Sequence, residues 1–596
     1  MLKLDLLLLG LCPFAVGLPV QVVLDNSPVA QTLSVPLDRH QTLSSTPFNA
    51  GETDRRLHGR FLHITDMHPD PYYLPGSAPS TYCHRMKPKK KKHAGYYGTP
   101  FSKCDSPLAL TNFTLDYLDD HWSDDIDFVI WTGDSSRHED DDKLPRPLDE
   151  IYDSNRLVAR QMQELFSSKG QHHSPGSNGA EFLLAFPAHA RSGNSWFGLT
   201  LISTSPPGPN DITRTFSSIW SNFIPQSSLE SFLQGGYYSV EVIPDSVAVI
   251  SLNTMYYYDS NKGCPSSDLN DPGNLQFDWL DEQLKTFRSR QMQVWVIGHI
   301  PASNEHYFPE CYYRYVELSL RFQDTILGHL FGHQNIDHFF FLEADDLFHG
   351  LEVENESLAS SNTLFETLIT DFSALPDSQA DIDYDHYAVV NVNPSVVPNP
   401  YLPSFRVFAY NITGLTDVLV SGVGHDPYQE EMRTLQRRNR APHNHGSDAG
   451  ECEKTKSWRC KLERPWHSNT ESPSRKNTLW SPLGYAQYYM PKLKEYDEDN
   501  EPEFELEYVT FPLSKLRIGG EDMAGDESLM PPLIPSRNLP EELHGTGGIK
   551  TKYAPYNLDD LTIPSWLHLA WRLGQGQEKK LRRRFRKYMY MGGEED

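Results

Sequence analysis

From Arg60 onward the chain alternates short apolar runs with segments of helical period. The runs are RFLHIT, DFVIWTG at 127–133, VAVISLN at 247–253 and QVWVIGH at 293–299, each bounded by turn-forming residues. Runs of this length predict strands buried on both faces. Between the first two, Leu108, Leu115, Leu118 and Trp122 recur at helical spacing, which predicts an amphipathic helix over 108–122. Strands alternating with helices predict an α/β layered domain over residues 57–424. Residues 18–56 are polar, rich in Ser, Thr and Pro, and read as a linker. Residues 425–478 are charged, carry little apolar content and read as a flexible insert. Apolar content returns in a C-terminal extension, 479–596, at LWSPLGYAQYYMP (479–491) and EFELEYVTFP (503–512). The alternation in FELEYVTF predicts one edge strand that rejoins the main sheet. No internal repeat is present.

Composition narrows the class. With 596 residues, 38% hydrophobic and 12% aromatic, the chain has material for a large core and is not globally disordered. Its formal net charge of −27 repels polyanions at long range, so such a partner needs local cations or metal ions. Two basic clusters could supply them, KPKKKKH at 87–93 and KKLRRRFRK at 579–587. On charge alone each reads as a solvated loop or tail. The start, MLKLDLLLLGLCPFAVGLPV, has a positive residue, a short apolar core and a small-residue cleavage pattern near 15–17. It predicts a secretory signal peptide over 1–17, with an uncleaved signal anchor as the alternative.

Cysteine usage agrees with secretion. Outside that leader lie Cys83, Cys104, Cys264, Cys311, Cys452 and Cys460, an even set that predicts three disulfides. Pairing of sequence neighbours is the simplest arrangement among the fifteen that six cysteines allow. Sequons at Asn112, Asn355 and Asn411 fit lumenal glycosylation.

The candidate chemistry sits where apolar runs stop. The first ends in Asp66-Met67-His68, the second in Gly133-Asp134, the fourth in Gly298-His299. A further stretch, GHLFGHQNIDHF at 328–339, puts His333 after Gly332 and Asn335 two positions on. In open α/β sheets the ligand crevice lies beyond the carboxyl ends of strands, so these six residues are expected to converge. Carboxylate and imidazole together suit divalent Zn, Mn, Fe or Co, and a shared aspartate can bridge two ions. Two such ions clamp the attacking and leaving oxygens of a phosphoryl transfer. A glycine before the ligand lets the backbone turn and approach closely.

These stretches resemble the calcineurin-like metallophosphoesterases, in the branch that contains acid sphingomyelinase. The residues that carry the resemblance are TDMHPDPYY, FVIWTGDSSRHEDD, VIGHIPA and LFGHQNIDHF. The closer similarity is to the fungal endopolyphosphatases, through Gly-His-x-Asn-x-Asp-His-Phe at 332–339, SPLALTNFTLDYL, SLNTMYYYDSN and the basic ending LRRRFRKYMYMG. The resemblance implies a four-layer α/β/β/α sandwich with two divalent metal ions. It implies Asp66, His68 and Asn335 on the first ion, Asp134 as the bridge, and His299 and His333 on the second. His138, in Arg137-His138, takes the place of the proton-donating or phosphate-contacting histidine, and both residues are assigned to catalysis.

One segment departs from the family. Its Gly-Asn-Asn-Asp or Gly-Asn-His motif, whose first asparagine binds the second ion, is missing from 182–220, where Gly193-Asn194 is the nearest remnant. Three readings stand: Asn194 is the ligand, the chain has lost one ion, or the stretch is a misread piece of the gene. The last is favoured because the disturbance is local and the similarity resumes on both sides.

The resemblance further implies an endopolyphosphatase acting on inorganic polyphosphate. Lys89, Lys90 and Lys91 are then candidate substrate contacts on a loop bracketed by Cys83 and Cys104. No nucleic acid partner is expected. Membrane contact is expected only through an N-terminal anchor, with a location in the vacuole lumen or, as a type II single-pass protein, its membrane. The alternatives are a sphingomyelinase-like phosphodiesterase, against which Asn335 argues, and a non-catalytic lumenal glycoprotein that binds polyanions. Composition does not fix the oligomeric state.

Overall fold

In the computed structural model the strands predicted from apolar runs fall into two six-stranded sheets. The structure describes residues 57–86, 93–167, 181–184, 208–261, 263–265, 268–349, 363–415, 469–516, 531–544 and 552–593. The leader, the linker, Lys89–Lys91, Asn194, Asn355, Cys452 and Cys460 lie outside them.

The first sheet is built on β1 (Arg60–Ile64), which runs parallel to β2 (Phe128–Trp131), itself parallel to β3 (Glu181–Leu184). The second is built on β4 (Tyr238–Ile243), β5 (Val247–Ser251), β6 (Gln293–Ile297), β7 (Ile326–Phe331), β8 (His338–Glu343) and β9 (Tyr387–Val392), in the order β8-β9-β7-β6-β5-β4. Strands β5, β6, β7 and β9 are mutually parallel, and β4 and β8 are antiparallel edges. The remaining strands of the first sheet come from the distal chain: β10 (Ser404–Tyr410), β11 (Pro482–Tyr489) and β12 (Glu505–Val509), added antiparallel beside β1. The predicted edge strand at 503–512 is therefore present as β12. The stretch at 479–491 supplies a second, interior strand, so the C-terminal extension completes the first sheet. Residues Leu57–Asp596 form one compact unit.

The sheets face one another through aromatic rings. Phe61 of β1 stacks on Phe128 and Phe408 and meets Trp295 of β6 edge-on at 5.3 Å. Helix α1 (Leu108–Trp122) has the predicted bounds and covers the other face of the first sheet, with Trp122 against Tyr488. Helices α2 (Leu148–Ser167) and α3 (Asp211–Ile219) follow α1 on that side. The far side of the second sheet is covered by α4 (Pro272–Ser289) and α5 (Pro309–Arg321), whose Phe277, Leu280 and Tyr315 share a core with Ala248, Ile250 and Val296. Helices α6 (Leu364–Ala374), α7 (Ile563–Gly574) and α8 (Lys579–Tyr590) pack beside β8, with Phe372, Trp566 and Phe585 around Phe339. The C-terminal basic cluster is thus an amphipathic helix with Leu581, Phe585, Tyr588 and Met589 buried.

Disulfides join Cys83 to Cys104 and Cys264 to Cys311, the neighbour pairing expected from sequence. Among the described residues no helix is long and apolar enough to cross a membrane.

Candidate metal centre

Four parallel strands, two from each sheet, end at one place. Past Ile64, Trp131, Ile297 and Phe331 the backbone leaves the ladder, and the loops bind one another. Asp66 N–H donates to Gly133 O (3.0 Å), His68 N–H to Asp134 O (3.2 Å) and Gly332 N–H to His299 O (3.1 Å). Asn393 ties the two sheets here, its N–H donating to Phe331 O and its Nδ2 to His63 O. Asp66, His68, Asp134, His333 and Asn335 all have positive φ, between 40° and 74°. Such conformations are costly for residues with a Cβ and concentrate at functional sites.

The glycines expected before the ligands have measurable causes. Gly133 has φ 100°. A Cβ at Gly332 would stand 2.1 Å from Thr65 Oγ1 and 2.4 Å from Asp66 Oδ2, and one at Gly298 would stand 2.4 Å from Thr254. Gly332→Ala is expected to displace the Asp66 carboxylate and weaken divalent-ion affinity by about 10–100-fold, as perturbing a ligand's supports does. Calorimetric titration with Mn²⁺ or Zn²⁺ measures it, and wild-type affinity in the variant would contradict it.

The histidine rings are held in one orientation. His68 Nδ1 bonds Ser136 O at 2.8 Å, and His299 Nδ1 bonds Thr132 O at 2.8 Å. A carbonyl only accepts, so both Nδ1 atoms carry hydrogen, and both Nε2 atoms face the carboxylates. His68 Nε2 lies 3.5 Å from Asp66 Oδ1 and 3.4 Å from Asp134 Oδ2. His299 Nε2 lies 3.4 Å from the same Asp134 oxygen and 3.9 Å from Asp66 Oδ1. All four side chains are buried. Burial favours neutral Asp66, but His299, His68 and the Thr65 hydroxyl outweigh it and hold the carboxyl well below its usual range. Burial likewise opposes charge on His299, and Asp66 and Asp134 reverse the sign and raise it. The pocket thus calls for positive charge between imidazole and carboxylate. A divalent ion supplies that charge, and the donor set of carboxylate oxygen and imidazole nitrogen fits one.

His333 joins by its N–H to Asp66 Oδ2 (3.0 Å) and by an edge-on contact of its ring with His299 at 5.2 Å. Burial lowers its basicity, as do His299 and His306, which leaves a neutral ring. Asn335 donates Nδ2 to Asn399 O at 2.8 Å, and its buried Oδ1 meets no hydrogen-bond donor among the described residues.

His138 stacks on His68, ring centroids 4.0 Å apart. Its Nδ1 bonds Asp105 Oδ1 at 2.7 Å, and its N–H donates to Asp105 Oδ2 at 2.6 Å. Burial works against an imidazolium here, yet Asp105 dominates and raises His138 to about 9. Asp105 escaped the sequence reading. It precedes the recognisable SPLALT stretch and follows Cys104, and an acid beside a disulfide at a helix entrance was its only signal. His68, Asp105 and His138 form a second group of ligand-type atoms beside Asp66, His68 and Asp134.

Arg137 lies elsewhere than expected. Its five N–H groups are spent on Glu150 and the carbonyls of His138, Leu144 and Pro145. It braces the loop that carries His138 and has no donor left for a substrate. A similar brace is His84, whose ring nitrogens contact Asp141 (2.8 Å) and Asp70 (2.9 Å), two residues past His68.

The remaining assignments fall away from the centre. Asn112 is exposed on α1. Asn411 is buried, with Nδ2 donating to Asn477 at 2.7 Å, so a glycan there would have to break that bond.

Aspartate and histidine donors converging where parallel strands end define a candidate metal-dependent enzyme of the α/β class. No protein-family model matches the chain. The endopolyphosphatase of Cryptococcus neoformans is 35% identical over 678 residues, covering 94% of this chain and 95% of its own. That of Schizosaccharomyces pombe is 30% identical over 549 residues, covering 87% and 83%. The Saccharomyces cerevisiae endopolyphosphatase is 40% identical over 290 residues, covering 48% and 41%. A dimetal phosphatase from Danio rerio superposes with a TM-score of 0.31 at 10% identity, over 59% of this chain and 93% of its own, a likeness too low to carry argument. Identity along nearly the whole of both chains shows that this chain belongs to the endopolyphosphatase family.

Proposed function

We propose that this chain hydrolyses internal phosphoanhydride bonds of inorganic polyphosphate on a calcineurin-like four-layer scaffold that holds two divalent ions. The observation that carries the reading is Asp134 Oδ2, 3.4 Å from His68 Nε2 on one side and 3.4 Å from His299 Nε2 on the other. A single carboxylate so placed suits a bridge. Asp66, His68 and Asn335 would hold one ion, and His299 and His333 the other, with Asn194 as the further ligand named by the sequence. When bound, the ions lower the pKa of water and neutralise charge on the phosphoryl oxygens.

The chain's own residues do the rest. His138 keeps Nδ1–H on Asp105, so Nε2 holds the proton that can pass to a departing phosphate oxygen. Arg137 and His84 hold the loops on either side of that ring. The described residues on either side of Lys89, Lys90 and Lys91 include Arg85, bound to Asp141, and His93, whose ring contacts Gly76 O. Both flanks are thus fixed near the first ligand loop, which supports these lysines as phosphate contacts. The secretory leader pattern and two disulfides support a lumenal, vacuolar location.

The test is to incubate long-chain polyphosphate with purified protein and Mn²⁺, Co²⁺ or Zn²⁺ and follow chain length on a gel. Mid-length products are expected. Loss of single phosphates from the ends would overturn the internal mode, and no cleavage with any of these ions would overturn the reading itself.

A further inference from the structure

We propose that the exposed face of α8 is a second binding surface for the polyphosphate chain, away from the scissile bond. This rests on the substrate reading above. Lys579, Lys580, Arg583, Arg586 and Lys587 are all exposed. Their spacing of i, i+1, i+4, i+7 and i+8 puts them on one face, opposite the buried Leu581, Phe585, Tyr588 and Met589. The 12-residue helix is about 18 Å long, so five cations line one straight edge. Arg582 is not part of this edge, because its guanidinium caps the carbonyls of Leu573 and Gly574.

The end of α8 packs against the segment that borders the metal centre. At its C-terminal end Tyr590 accepts a bond from Phe365 N–H and packs against Tyr401, ring centroids 5.6 Å apart. Two residues before Tyr401, Asn399 accepts from Asn335 and donates to Asp105 Oδ1. Beside it the half-exposed Pro400 accepts a bond from Phe101 N–H. Phe101 is 47% exposed, and Lys494 stands over its ring at 5.1 Å. The C-terminal end of α8 is thus joined through Tyr590 and Tyr401 to the segment that carries Asn399, and Lys494 adds a cation over Phe101 beside it.

On a chain of net charge −27 this edge counters the long-range field that would repel a polyanion. A flexible chain of phosphates anchored along α8 would leave an internal bond, rather than an end, over the metal centre. Short substrates would not reach both places.

The experiment compares the full chain with a fourfold variant, Lys580→Gln, Arg583→Gln, Arg586→Gln and Lys587→Gln, and with a variant that exchanges Lys and Arg at these positions. Binding of long-chain polyphosphate is read by fluorescence anisotropy, hydrolysis on long-chain polyphosphate and on tripolyphosphate. The fourfold variant should bind the long chain about tenfold more weakly at 150 mM salt, with a salt slope shallower by about 3. Its tripolyphosphate turnover should be unchanged, and the exchange variant should behave as wild type. Undiminished long-chain affinity in the fourfold variant would overturn the proposal, as would equal loss on both substrates. If wild type binds the long chain through α8 yet cleaves none of it, the surface stands and the catalytic reading falls.

Discussion

Asp134→Ala should lose hydrolysis of polyphosphate by about a thousandfold or more. The carboxylate lies between two imidazole nitrogens, each 3.4 Å away, and it stands nearer to both than Asp66 Oδ1, at 3.5 and 3.9 Å. As a bridge Asp134 would organise both ions, and metal stabilisation of phosphoryl transfer is worth several kcal/mol, which is about three decades in rate. Metal content measured on the same preparation distinguishes loss of ions from misfolding: a folded, metal-depleted, inactive protein is expected. A folded variant with near-normal metal content and turnover would remove Asp134 from the centre. His333→Ala should act in the same direction, because it removes the ring that abuts His299 while keeping the backbone N–H that bonds Asp66.

The second large effect is on pH dependence. His138 is raised to about 9 chiefly by Asp105 against the pull of burial. The charged ring is therefore favoured in the folded state. Its contribution to stability is complete below the ordinary histidine value near 6.5 and is lost as pH rises through about 9. If the Nε2 proton serves the leaving oxygen, activity falls on the alkaline side as that proton is lost. Asp105→Asn keeps an acceptor for His138 but removes the charge, so the alkaline limb should move down toward the ordinary value. Bound cations push both limbs lower without closing the gap between them. A pH–rate profile and a series of melting temperatures from pH 6 to 10 measure the two consequences. Coincident alkaline limbs in wild type and variant would show that Asp105 does not set the proton on His138.

Local pattern told most about the elements that ended up buried on both faces. The 108–122 helix has the bounds its Leu and Trp spacing predicts, and four apolar runs became core strands of two sheets. Burial on both faces leaves a run with no polar period to confuse it. Pro482–Tyr489 was harder to place because its polar Gln487 is satisfied inside, by Arg406, Asp337 and Glu507, in contacts that span up to 150 residues. Arg137 shows the converse: beside His138 it looks reactive, yet its donors are consumed by Glu150 and three carbonyls.

The sequence by itself determined the donor types, their position at strand ends and the glycines that let them approach, because those follow from local sterics and a period of two or 3.6. Only the tertiary structure decided that Asp134 stands between His68 and His299, that Asp105 charges His138, and that the basic C-terminal segment is a half-buried helix packed on Phe339. Each of these joins residues from separate strands or loops, and no local preference encodes a distance between them.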